Sequence, residues 1–158
     1  MTTNPDRALR DHLLQLLDSD HAHLKFDDAV KDFPPALRGR RPENGPHSAW
    51  ELLEHLRLAQ WDILEFTRDP KHVSPEFPAG YWPSSEARPD DAAWNASVDA
   101  FRRDLRGLAD LVREESVDLH APIAHGSGQT LLREILLAAD HNAYHLGQLV
   151  MVRKLLGG

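Results

Sequence analysis

The sequence predicts an all-α protein, a four-helix bundle with long crossover connections. Three observations lead there. Four segments carry apolar residues at alternating steps of three and four, no segment alternates apolar and polar residues as a half-buried strand does, and proline, glycine or a capping residue bounds each periodic stretch. Apolar stripes of that kind are buried only against one another, which is bundle packing. With 158 residues, 41% of them hydrophobic, the chain suffices for one such domain over residues 1–158 and is short for two.

The first helix is predicted over residues 5–20: Asn4 caps it, Pro5 and Asp6 suit its first turn, and Leu9, Leu13 and Leu16 follow at helical spacing. Residues 21–46 contain Pro34, Pro35, Pro42 and Gly45, which break a long helix and leave an ordered crossover with one short turn that Asp27 caps. The second helix is predicted over residues 48–68, opened by the capping box Ser48-Ala-Trp-Glu51 and buried through Leu52, Leu56, Ala59, Ile63 and Phe66. Five prolines interrupt residues 69–89, a loop that packs down by Phe77, Tyr81 and Trp82. The third helix is predicted over 91–115 on the seam Trp94, Val98, Phe101, Leu105, Leu108 and Val112, started by Asp90 or Asp91. After a second connection over 117–129, Thr130 caps a fourth helix that runs to 156 and stops at Gly157-Gly158. The first and second helices, and the third and fourth, are expected to be neighbours.

A formal charge of −7, with no basic block beyond Arg38, Arg40 and Arg41, disfavours nucleic acid. No basic patch leads into an apolar run near Met1, and Asp140, His141 and His145 break the most apolar stretch. The expectation is a soluble cytoplasmic protein without membrane contact. The absence of cysteine restricts any metal site to nitrogen and oxygen ligands.

On the fourth helix the seam of Ile135, Ala138, Leu149, Val152 and Leu156 also contains Asn142 and His145, and His141 lies one turn earlier. Residues four apart are about 40° apart around a helix and roughly 6 Å apart at Cβ, a chelating distance. Such a pair also arises from core imidazoles bonded to their neighbours. His55, however, flanks the second helix's seam, and three inward imidazoles are hard to satisfy without a shared partner. Asn142 occupies the place of the zinc-protease glutamate, and no Glu-x-x-His of the di-iron bundles occurs.

Trp50-Glu-Leu-Leu-Glu-His55, Tyr81-Trp-Pro83, His141-Asn-Ala-Tyr-His-Leu-Gly-Gln148 and Arg153-Lys-Leu-Leu-Gly157 together resemble the DinB-like (DinB/YfiT-type) metalloenzyme family over nearly the whole chain. The resemblance implies a DinB/YfiT-type bundle, His55, His141 and His145 as ligands of one divalent ion, nickel or zinc as that ion, and a small-molecule substrate, with low-molecular-weight thiols among those used by relatives. His125 is the one catalytic candidate, against its reading as a solvated loop residue. His21 and His23 are candidates to line a cavity, Glu51, Glu134 and Gln148 to orient an imidazole, and Tyr144 to pack or form an interface.

Three neutral ligands leave an ion with full charge and an open position, which favours ligand binding or catalysis over a closed structural site. The enzyme reading is a hydrolase or low-molecular-weight thiol S-transferase, with a substrate pocket walled by residues 69–89 and 117–129. The competing reading is a non-catalytic metal-binding or stress-response bundle acting through homodimerisation, with the metal sealed. A third keeps the bundle and leaves the histidines hydrogen-bonded in the core.

Overall fold

The computed structural model describes residues 5–18, 22–84 and 87–157. Its helices are α1 (Pro5–Asp18), α2 (Phe26–Val30), α3 (Ala49–Arg68), α4 (Asp91–Arg113) and α5 (Leu131–Leu155), with single 3-10 turns at Pro35–Leu37 and Ala79–Tyr81. Among the described residues there is no strand, only an isolated bridge between Pro122 and Thr130.

The caps lie where the sequence puts them. Ser48 and Glu51 exchange bonds in a complete capping box, the Asp90 side chain accepts from Ala93 N–H, and that of Thr130 accepts from Arg133 N–H. Gly157 takes φ +80°, the left-handed turn that ends a helix without a Cβ clash. The cap expected of Asn4 and the last residues of the first helix, 19 and 20, lie outside the described residues. Asp27 does not cap α2: it sits inside the first turn, and its carboxylate takes Arg102 Nε at 2.7 Å.

Four long helices form the bundle, but their order differs from the expected pairing. α3 packs along α4 and α5, and α1 packs along the same two, so α1 lies diagonal to α3 and α4 diagonal to α5. The expected neighbours α1 with α3 and α4 with α5 are therefore corrected. Connections this long cross the end of a bundle at little extra entropic cost, so proximity in sequence does not enforce contact. Buried Arg10 ties α1 to α4, donating to the carbonyls of Val112 at 2.8 Å, Glu114 at 3.0 Å and Val117. Val112 and Glu114 stand at the C-terminal end of α4, where a guanidinium both bonds the carbonyls and complements the helix dipole.

The core has two apolar halves. One joins α2, α3, α4 and the end of α5 through Phe33, Leu52, Leu56, Trp94, Phe101 and Leu149; the other joins α1, α3, α4 and the start of α5 through Leu13, Leu17, Leu64, Leu108, Val112 and Ile135. In α1 the buried partner of Leu13 is Leu17, while Leu16 is 48% exposed. Between the halves runs a buried polar belt. Gln60 donates to the Phe101 carbonyl at 2.7 Å, and Asn142 donates to Gln60 Oε1 at 2.7 Å. His55, His141 and His145 belong to the same level of α3 and α5.

Candidate metal centre

α3 and α5 bring three imidazoles to one point. His55 Nε2 lies 3.0 Å from His145 Nε2 and 3.0 Å from His141 Nε2, and one ring nitrogen of each falls within 4.8 Å of the others. The ring centroids of His141 and His145 are 4.5 Å apart, as one helical turn dictates. His55 and His145 are 8% and 9% exposed, so water does little to solvate the cluster.

The outer nitrogens determine what the inner ones present. His55 Nδ1 lies 2.9 Å from the Tyr81 carbonyl, which only accepts, so Nδ1 carries the proton. His145 Nδ1 lies 2.7 Å from Gln148 Oε1 and is likewise the donor. In the neutral rings both Nε2 atoms then hold lone pairs, turned on each other at 3.0 Å. Two acceptors at that separation repel unless a cation lies between them. Nitrogens bound to one ion at about 2.0–2.2 Å stand close to 3 Å apart, so the residues fit a bound metal. Fixing the tautomer by a hydrogen bond from the outer nitrogen is the usual support for a ligand histidine.

The rings are held neutral. Burial pushes His55 down to about 4, despite the opposing Tyr81 carbonyl, and His141 down to about 3, with His145 and His55 adding to the effect. Burial also lowers His145, against its bond to Gln148. Near pH 7 no proton competes for these lone pairs.

A clamp from the 69–84 segment covers the cluster. Trp82 lies flat on His55, centroids 3.9 Å apart and planes at 3°, and on its other side stacks with His47 at 4.3 Å. Tyr81 Oη donates to Asp62 Oδ2 at 2.7 Å while His72 Nε2 meets Asp62 Oδ1 at 2.7 Å, which fastens the loop to α3. The loop thus packs down by its aromatics as expected, except Phe77, which is 84% exposed.

The other expectations divide. Gln148 orients an imidazole. Glu51 does not, because Arg41 and the Ser48 cap occupy it, and Glu134 is bonded to Arg133. His125 is not at the cluster: its Nε2 bonds the Phe66 carbonyl at 2.6 Å, eleven residues along α3 from His55, or about 16 Å at the helical rise. The connection over 117–129 goes with it to that end, burying Leu119 in the second half of the core, so it does not wall the cluster. His23 is exposed and bonded to the Leu24 carbonyl, and His21 lies outside the described residues. Tyr144 is 65% exposed and touches His145 edge-on. Sequence reasoning missed His47, His72, Asp62 and the Tyr81 carbonyl: two lone loop histidines, one carboxylate off the apolar seam of α3 and a backbone atom carry no periodic signal.

Three neutral imidazoles, two of them with fixed tautomers, are a nitrogen donor set for a borderline divalent cation. A family model described as the DinB superfamily matches residues 20–149, a span that includes all three histidines, Trp82 and Gln148. No curated protein and no solved structure matches the chain.

Proposed function

The chain belongs to the DinB superfamily, and on that premise we propose that His55, His141 and His145 hold one divalent ion, nickel or zinc, in an enzyme of the hydrolase or low-molecular-weight thiol S-transferase type. The observation that carries this reading is the pair of Nε2 lone pairs facing each other at 3.0 Å with both Nδ1 protons committed elsewhere. A bound ion of this kind supplies Lewis acidity and draws the pKa of coordinated water or thiol toward about 7. The chain's own residues do the positioning: the Tyr81 carbonyl and Gln148 fix two tautomers, and Trp82 shields one face of His55 from water. The substrate class is a small molecule with an anionic oxygen or a thiolate.

Elemental analysis of protein purified without a polyhistidine tag tests the ligand set. We expect one metal per chain, lost in His145→Ala. Stoichiometric metal in that variant, or none in the wild type, would defeat the reading. Burial of His55 and His145 favours a second reading, a sealed, non-catalytic metal store. Titrating the cobalt form with small thiols and carboxylates separates the two, because a sealed ion leaves its d–d spectrum unchanged.

A further inference from the structure

Beside the imidazole cluster, α5 and the segment before α3 enclose a groove of about 470 Å³, within the usual size of small-molecule sites. We propose that this groove binds the apolar body of a small amphiphilic molecule whose anionic end is received by His47 and Gln148. The proposal rests on the metal reading above only for the identity of that end, a carboxylate or a thiolate.

The groove is graded along its length. Its walls are Pro46, Leu52, Tyr144, Met151, Val152 and Leu155, and the span of α5 from Tyr144 to Leu155 is about 16 Å. Tyr144, Met151 and Leu155 are 65%, 53% and 65% exposed, a concave apolar surface left to water. Its polar groups, on His47, Gln148 and Tyr144, lie toward the cluster. His47 stacks on Trp82, which stacks on His55; its Nδ1 is buried without a hydrogen-bond partner, and the ring lines the groove. Gln148 spends its Oε1 on His145, which leaves its amide N–H groups to donate. An anion with an apolar tail matches that order of groups.

The far wall is built before any ligand arrives. Gly45 N–H bonds the Pro42 carbonyl at 2.9 Å, Asn44 takes φ +59°, and a Cβ on Gly45 would come within 2.9 Å of Pro42 Cδ. Arg41 holds Glu51 at 2.9 Å, and Trp50 N–H bonds the Arg38 carbonyl at 2.7 Å, which anchor this segment to α3. A preformed groove with its polar groups gathered at one end suits a small molecule better than a second copy of the chain, which would cover the face by two-fold self-complementarity.

The test uses straight-chain carboxylates and thiols of increasing length, titrated calorimetrically into metal-free and cobalt-loaded protein. Each methylene buried is expected to lower Kd by up to about fourfold, the equivalent of about 0.8 kcal/mol, in both forms. Gly147 lines the groove and a Cβ there meets nothing within 4 Å, so Gly147→Leu fills the groove without straining the helix. That variant is expected to take up cobalt normally and lose the dependence on chain length. Equal affinity for short and long chains in the wild type, or an unchanged slope in Gly147→Leu, would overturn the proposal. So would a wild-type dimer that Gly147→Leu dissociates while the slope stays flat, since a second copy would then own the face. A slope without any cobalt spectrum would sustain the groove and remove the metal reading instead.

Discussion

His55 holds its proton on the side of Tyr81 and its lone pair on the side of His141 and His145, and burial keeps the ring neutral far into the acid range. The consequence for stability has a definite sign. An unfolded imidazole titrates near 6.5, whereas the folded rings of His55 and His141 take up protons only near 4 and 3. As pH falls through that window the unfolded chain binds protons that the folded chain refuses, so stability drops. The urea midpoint of metal-free protein should therefore fall between pH 7.5 and pH 5, and fall less in His141→Gln. Gln148 is predicted to tune affinity without being a ligand. Gln148→Ala should weaken metal binding by about 10- to 100-fold, read by competition with a chromophoric chelator, while one ion per chain still binds at saturation. Position alone picked out Gln148, one turn beyond His145, but did not separate it from Glu51 and Glu134. Their partners Arg41 and Arg133 separate them, and those are tertiary or local ion pairs invisible to spacing.

At the scale of elements, the 69–84 segment acts on the site through the α3 side chain Asp62, which takes both Tyr81 Oη and His72. Asp62→Ala frees both. The loop should then exchange its amide protons faster from 72 to 82, and metal affinity should fall because the Tyr81 carbonyl is no longer held against His55. A loss of metal affinity with unchanged exchange would refute that coupling. The helices were legible to within one or two residues because Trp94 to Val112 and Leu52 to Ile63 keep one face apolar, and because Ser48, Asp90 and Thr130 are capping residues. Which helix meets which was not legible. An apolar face specifies burial, not a partner, and it took Arg10 on the α4 carbonyls to show where α1 lies. The loop clamp was equally hidden: Tyr81 and Trp82 were marked by their size, but the backbone carbonyl that orients His55 has no residue type.

Across the whole molecule, two apolar halves meet at a polar belt formed by Gln60 and Asn142. Gln60→Ala would leave Asn142 Nδ2 without its acceptor in the interior, while the Phe101 carbonyl keeps its helical N–H partner in α4. The expected cost is about 1–3 kcal/mol for the one buried group left unpaired, compared with about 3–5 for Phe101→Ala by cavity formation. Urea unfolding of the two variants checks both. The diagonal winding also bears on when the histidine cluster can form. His55 and His145 are 90 residues apart in the chain, and translation at about 5–20 residues per second separates their synthesis by roughly 5–18 s. Until α5 has left the ribosome, α3 presents one lone histidine and no site. The three-histidine cluster is therefore complete only once α5 has emerged, and the ion we propose would enter a site that forms well after its first histidine is made.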